Sequence, residues 1–413
     1  MKNFVAHTDE IRNEMLKSIN YESIDDLFKQ IPVQFKDFDM QNPLSEMETQ
    51  KKIKTLARKN NTEYASFLGG GVYNKFIPAC VNYVAQRFEF LTAYTPYQPE
   101  ISQGTLQIIY EYQTMISRLT GMDIANASMY DGGSACAEAI LMAHRIAKGK
   151  KNKALVSSKL NPEYLEVVKT YCWAEGIEFE LFDTLPESVQ DYCCVLVQNP
   201  DYYGEISEIK NLDTTLIVCA NLSALSILEP PRDADIVVGD VQPLGISMSF
   251  GGPHAGYMAC KEAYMRQMPG RLVGRTLDAD GKTAYTLTIQ TREQHIKREK
   301  ATSNICSNQS LIALSATLYL SLVGEKGFKQ TGIISFNLAH LLADKLVQKG
   351  IKVLTKNFFN EFVIEVDNSE EFLNNLKSNN ILGGIKLDDK KILVSVTEMN
   401  SEEEILDYVN TIK

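Results

Sequence analysis

Much of what would mark a metalloprotein, a secreted protein or a nucleic-acid binder is missing from this 413-residue chain. Its eight cysteines, at positions 80, 136, 172, 193, 194, 219, 260 and 306, form no C-x-x-C pair. Its five histidines show neither H-E-x-x-H nor finger spacing, so no metal site is expected. Base is in deficit: 42 Lys+Arg against 52 Asp+Glu leave a formal net charge of −10. That balance argues against nucleic acid or an anionic membrane as the main partner. The N-terminus, MKNFVAHTDEIRNEMLK, carries acids early and lacks the apolar core of a signal peptide. The longest uncharged run, Ala301–Gly324, holds Thr302, Ser303, Asn304, Ser307, Asn308, Gln309 and Ser310. It is too polar for a lipid-facing span and is expected to be a buried helix. No internal repeat or low-complexity tract is present. These absences point to a reduced, cytoplasmic, globular protein.

What is there is 44% apolar and 23% charged, enough for a sizeable core, and the length suggests roughly two or three domains. Residues 1–60 are charged, with helical period over Tyr21–Ile31 and Ser45–Asn60, and are expected to form an N-terminal arm. Residues 61–300 are expected to form a large α/β domain. It opens on a Gly-, Pro- and Tyr-rich stretch, and helices over Gly104–Leu119 and Ser134–Lys148 follow. Apolar runs come next at Ala154–Ser157, Cys194–Gln198, Leu216–Ala220, Ile236–Gly239 and Tyr257–Cys260. Short continuous apolar strands between helices mark a parallel sheet covered on both faces. Thr283–Arg292 alternates as a half-exposed strand. Residues 301–413 are expected to supply a linking helix and a smaller α+β domain, with strands at Glu361–Val366 and Ile392–Val396 and a closing helix over Glu402–Ile412.

Four blocks offer chemistry. Gly132, Gly133 and Ser134 open a helix, where unpaired backbone N–H groups and the positive dipole end suit an anion such as phosphate, with Ser134 available as a cap. Most such turns are only caps. Gly239–Gly245 and Gly251–Gly256 are Gly-rich loops at strand ends, the usual ligand position in open α/β sheets, or else plain tight turns. Tyr94, Thr95, Tyr97, Gln98 and Glu100 lie on a loop stiffened by Pro96 and Pro99, fit for recognition or simply a packed connector. Arg292, His295 and Arg298 belong to a basic stretch in an acidic chain, suited to a carboxylate, a phosphate or an acidic partner, unless it is only a solvated face.

Taken in order, the motifs Phe67–Pro78 (FLGGGVYNKFIP), Tyr94–Gln107 (YTPYQPEISQGTLQ), Tyr130–Ala139 (YDGGSACAEA), Gly239–Gly256 (GDVQPLGISMSFGGPHAG) and Gln290–Gln309 (QTREQHIKREKATSNICSNQ) span nearly the whole chain. On them it resembles the glycine decarboxylase family, the P-protein of the glycine cleavage system, and within it the N-terminal (α) subunit of the two-subunit bacterial form. The resemblance implies pyridoxal-phosphate fold type I: a large doubly wound, mostly parallel sheet domain and a small C-terminal α+β domain. It also implies the reaction. Glycine condenses with pyridoxal phosphate and is decarboxylated, the cofactor ring taking up the electron pair, and the aminomethyl group passes to the lipoyl arm of the H-protein.

In that family the cofactor lysine belongs to the β subunit. The present residues agree: no lysine occurs between Asp233 and Gly256, Lys261 follows the next strand, and Val218-Cys219-Ala220-Asn221 carries no acid for a pyridine nitrogen. Pyridoxal phosphate is therefore expected on the partner β subunit and not covalently on this chain, leaving Gly132, Gly133 and Ser134 as a vestigial phosphate cradle and no catalytic residue here. The resemblance implies an α2β2 assembly, with glycine and lipoylated H-protein as further partners. Tyr94, Thr95, Tyr97 and Gln98, and then Glu100, are the candidates for reaching the partner's active site; Arg292, His295 and Arg298 are candidates for interface or carrier contact. One departure stands out: the family's glycine loop usually carries histidine where this chain has Lys75. Two alternatives stay open, a self-sufficient pyridoxal-phosphate lyase or transferase and a non-enzymatic scaffold subunit.

Overall fold

The computed structural model describes residues 7–31, 40–90, 95–305 and 307–412. They fall into two compact units, Met1–Thr62 and Glu63–Lys413. In the first, α1 (Asp9–Ser18) is capped by Thr8 and α2 (Glu46–Ala57) by a reciprocal Ser45/Glu48 capping box. The helix expected over Tyr21–Ile31 is only a single 3₁₀ turn, Asp25–Phe28. The Asp26 carboxylate accepts from the N–H groups of Glu22 and Ser23, a local alternative to helical bonding.

The second unit is built on a seven-stranded sheet. Its strands are β2 (Ile124–Ala125), β3 (Lys153–Ser157), β4 (Glu178–Phe182), β5 (Cys194–Asn199), β6 (Thr215–Ala220), β7 (Ile236–Asp240) and β8 (Gly256–Cys260), in the spatial order β2-β8-β7-β6-β5-β3-β4. From β4 to β7 every pairing is parallel; β8 and β2 run antiparallel at one edge. Alternate residues of the strands feed two cores. Val156, Leu196, Ile217 and Val238 pack with α5 (Gly132–Ile146) and α6 (Pro162–Glu175), through Cys136, Ile140, Val168 and Cys172. Leu155, Val195, Leu216, Val218 and Val237 pack on the other face with Val81 of α3 (Ala79–Ala85) and with Tyr112 and Ile116 of α4 (Gln103–Thr120). Burial on both faces is why these strands read as unbroken apolar runs.

Sequence patterning passes over β4, whose Glu-Phe-Glu-Leu-Phe is half exposed at the sheet edge. It also says nothing of the reversal of β8. The fifteen-residue connection from β7 to β8, residues 241–255, contains Gly245, Gly251 and Gly252 at positive φ, and no crossover helix is formed there, so an antiparallel return is the outcome.

A hairpin of β9 (Leu272–Leu277) and β10 (Thr283–Thr288) lies against α4. Two glutamines of that helix stitch it down by imitating a strand. Gln113 donates to the Val273 carbonyl and accepts from its N–H, at 3.0 and 2.9 Å; Gln103 does the same at Tyr285, at 2.9 and 2.8 Å. The strand expected to reach Arg292 stops at Thr288, because Ile289 turns the chain at φ 52°. A one-turn helix, α7 (Gln294–Lys297), follows.

The long apolar helix is α8 (Ser310–Gln348), broken at Gly324, and its first half joins the core through Ala313, Ala316 and Tyr319. The second half leads to a four-stranded antiparallel sheet, β11 (Lys352–Val353), β12 (Glu361–Glu365), β15 (Lys391–Ser395) and β14 (Ile385–Lys386), with α9 (Ser369–Ser378) and α10 (Glu402–Thr411). A third core, including Leu342, Phe362, Ile364, Val394 and Tyr408, fills this smaller unit. A two-residue parallel pair, β1 (Ala65–Ser66) with β13 (Ile381–Leu382), ties it to the start of the glycine-rich stretch.

Candidate functional site

In an open α/β sheet the ligand position lies beyond the carboxyl ends of the parallel strands. Here that place is bounded by Gln198 of β5, Cys219, Ala220 and Asn221 at the end of β6, Gly239 and Asp240 of β7, and Pro243. Asn221 stands where an acid would be required, and none of the lining residues is a lysine. Lys261 is elsewhere, paired with Asp235 at 2.8 Å.

The start of α5 points at this place. Asp131, rather than Ser134, is the N-cap: its carboxylate accepts from the Ser134 N–H at 2.7 Å, while the Ser134 hydroxyl accepts from the Asp131 N–H at 3.1 Å. The Gly132 N–H donates to Asp240 at 3.2 Å. The amides that suit a phosphate thus meet the chain's own carboxylates. Tyr164 closes the approach, since a Cβ on Gly132 would fall 2.4 Å from its hydroxyl. Burial pushes the Asp240 carboxyl up to about 7, against the pull of the Gln242 and Gly132 N–H donors.

The remaining cavity measures about 40 Å³, room for a few waters at roughly 10–15 Å³ each and far below the roughly 300–1,000 Å³ of small-molecule sites. These residues do not fit pyridoxal phosphate: there is no lysine for a Schiff base, no acid for the ring nitrogen, and the cradle is filled from within.

The glycine-rich stretch forms one wall and is clamped on three sides. Glu361 of β12 accepts from the Gly70 N–H at 2.6 Å and the Tyr73 hydroxyl at 3.0 Å. Gln242 pairs with both backbone groups of Tyr73, at 3.0 and 2.9 Å. Lys75 forms a buried ion pair with Glu398 at 2.5 Å. Burial raises the Glu361 carboxyl to about 7, with Gly70 and Tyr73 opposing. None of these acids stands out in the sequence, where Glu361 merely begins an apolar strand.

The stiff loop and the basic stretch, nearly 200 residues apart in the chain, meet. The Tyr97 and His295 rings are 5.3 Å apart, edge to face. The Arg271 guanidinium carbon lies 5.6 Å from the Tyr97 ring centre. Tyr94 lies outside the described residues. Thr95 is half-buried, its carbonyl accepting from the Tyr97 N–H. Gln98 and Glu100 are exposed.

The three basic candidates separate. Arg292 is 7% exposed, and its guanidinium donates to the carbonyls of Met268 and Gly270, so it ties backbone together instead of facing solvent. His295 and Arg298 are exposed, as are Lys297 and Lys300. Glu293 is buried within reach of Arg271, Arg292 and His295; burial raises its carboxyl and those three side chains oppose the rise. Charge alone in the sequence cannot say which heads of such a stretch turn inward. Among the described residues no group of three or more His, Cys, Asp or Glu could hold a metal.

A mostly parallel seven-stranded sheet with its pocket at the strand ends, followed by a small C-terminal unit, is the architecture of pyridoxal-phosphate fold type I. A sphingosine-1-phosphate lyase of Burkholderia pseudomallei shares it at TM-score 0.63 and 12% identity, over 93% of each chain, a likeness of fold alone. The particular family follows from closer matches. The family model "Glycine cleavage system P-protein" matches residues 2–412, and the chain belongs to that family. It is 44% identical over 439 residues to the probable glycine dehydrogenase (decarboxylating) subunit 1 of Geobacillus thermodenitrificans, covering 98% of each. The counterpart in Carboxydothermus hydrogenoformans is 44% identical over 99% of each. A crystal structure of glycine decarboxylase (P-protein) in inhibitor-bound form superposes at TM-score 0.87 with 38% identity, over 99% of both chains.

Proposed function

We propose that this chain is the cofactor-free α subunit of a cytoplasmic glycine decarboxylase. It pairs with a β subunit as α2β2, and pyridoxal phosphate, held by that partner, supplies the electron sink for decarboxylating glycine. The aminomethyl group then passes to the lipoyl arm of the H-protein. The observation that carries the proposal is a fold type I chain, matched to the P-protein family over residues 2–412, whose own cofactor position is filled by Asp131, Asp240 and Tyr164 and lacks a lysine.

On this view the chain acts at the shared cleft. The loop bearing Tyr94, Thr95, Tyr97 and Gln98 reaches the partner's active site, with Glu100 at its end. Arg298, with Lys297 and Lys300 exposed beside it, offers an acidic carrier a place to land. Arg292 supports that segment from inside.

The loop assignment is tested by glycine–bicarbonate exchange of the reconstituted αβ enzyme. Tyr94→Phe and Tyr97→Phe are each expected to lower kcat/KM about tenfold or more, the usual scale for a lost donor in a closed site. Unchanged exchange in both variants would remove the loop from the active site.

A further inference from the structure

We propose that Arg271 and His295 are positioning residues for Tyr97: they hold its ring so that the phenol hydroxyl is presented to the partner's active site. The inference rests on the assignment of the 94–98 loop given above.

Tyr97 is 49% exposed, and its hydroxyl has no hydrogen-bond partner among the described residues. An exposed tyrosine of this kind would ordinarily sample several rotamers, because nothing offsets the entropy of fixing it. Its surroundings are not ordinary. Arg271, next to the ring, is 2% exposed. Its guanidinium donates to the Asn308 side-chain carbonyl at 3.3 Å, and Asn308 donates in turn to the Ala127 carbonyl at 2.9 Å. A buried, tethered cation at a ring face is the arrangement in which cation–π attraction is strongest.

His295, the second neighbour, stands on the short helix α7, with its Nδ1 3.8 Å from the Glu293 carboxylate. Glu293 is buried within electrostatic reach of Arg271, Arg292 and His295, and Arg292 is anchored on the Met268 and Gly270 carbonyls. The Arg271 contact therefore starts from a buried, tethered cation, and the His295 contact from an exposed ring set beside the buried Glu293 carboxylate.

The backbone is held as well. The Tyr97 N–H donates to the Thr95 carbonyl at 2.9 Å, and Gln103 bonds both the Pro99 carbonyl and the backbone of Tyr285. With backbone and ring fixed, the hydroxyl is the one polar part of the side chain left to act outward. The motif Q-T-R-E-Q-H then has a physical sense: Arg and Glu turn inward to build the post, and His leans on the tyrosine.

The test is a double-mutant cycle on the reconstituted αβ enzyme, reading kcat and KM of glycine–bicarbonate exchange for Arg271→Met, Arg271→Lys and His295→Ala, alone and with Tyr97→Phe. In the wild-type background Arg271→Met and His295→Ala are expected to lower kcat roughly two- to tenfold with KM for glycine unchanged, with Arg271→Lys in between. In the Tyr97→Phe background the same substitutions should bring no further loss. Equal losses in both backgrounds, or no loss in the first, would overturn the positioning role while leaving the loop assignment standing. An inert Tyr97→Phe would sink the loop assignment and this inference with it.

Should Arg271→Met fail to fold, the exposed His295→Ala still decides. In the full chain labelled with 3-fluorotyrosine, the Tyr97 resonance, identified by its loss in Tyr97→Phe, is expected to shift on His295→Ala. An unmoved resonance would contradict the proposal.

Discussion

Lys75→Met is expected to lower the free energy of unfolding of the chain by about 3–5 kcal/mol, the scale of breaking a buried ion pair from one side. The two side chains are 3% and 6% exposed, with Lys75 Nζ 2.5 Å from Glu398 Oε2. Methionine is close to lysine in length and shape, so the loss does not come from a cavity. It comes from the carboxylate left behind. Glu398 keeps two neutral donors, the Phe76 N–H at 3.1 Å and the Ser335 hydroxyl at 3.1 Å, which do not compensate a buried charge. Those partners also show what the pair joins: the glycine-rich stretch, the second half of α8, and the turn after β15. Adding Glu398→Gln to Lys75→Met should recover most of the loss, because a buried pair removed whole is far less costly than one left half-made. Denaturant unfolding of the wild type and the two variants measures both effects. A loss below about 1 kcal/mol for the single variant would mean that Glu398 finds another partner or water.

The second large effect is one of pH and concerns the other clamp on the same stretch. The Glu361 carboxyl is raised from 4.5 to about 7 by burial, with the Gly70 N–H and the Tyr73 hydroxyl opposing. Between those two values the folded chain holds a proton that the unfolded chain releases. Raising the pH through that window therefore favours unfolding: the stabilisation is fully present below about 4.5 and is lost as the pH climbs through about 7. At 1.36 kcal/mol for each pKa unit, the swing is on the order of 3 kcal/mol. Glu361→Gln keeps the shape without the charge. The variant and the wild type are expected to unfold alike near pH 4, and the variant to be the more stable by that amount near pH 8. Asp240 is raised to about 7 as well, but it is present in both proteins and cancels in the difference. A constant difference across the range would show that Glu361 titrates alike in the folded and the unfolded chain, against the raised carboxyl.

The fold was legible in the sequence where burial on two faces makes a pattern unmistakable. Val195, Leu196, Val218 and Val237 have no polar neighbour to confuse the period, and Gly121, at positive φ, closes helix α4. The same criterion hides β4, whose alternating polarity belongs to an edge, and it carries no information on direction, so β8 looked like one more parallel strand. Within the candidate site, the missing lysine and the missing acid could be seen without any structure, since they are absences of residue types over whole segments. How the position is filled could not. Asp131 adjoins Gly132 in the chain, but Asp240 and Tyr164 come from separate segments, and only the folded sheet brings them to Gly132. Likewise nothing local joins Tyr97 to His295 or Gln113 to Val273. Arg292 was the clearest misdirection, a positive residue in a positive stretch whose head turns back to two carbonyls.

On the proposed reading this chain serves a pyridoxal-phosphate enzyme without holding the cofactor itself. Borohydride reduction of the reconstituted αβ enzyme in the presence of pyridoxal phosphate, followed by digestion and mass spectrometry, locates the cofactor lysine. The expected result is a pyridoxyl-lysine on the partner chain alone, with no exchange activity from this chain by itself. A stoichiometric pyridoxyl-lysine on this chain, or exchange activity without the partner, would contradict it.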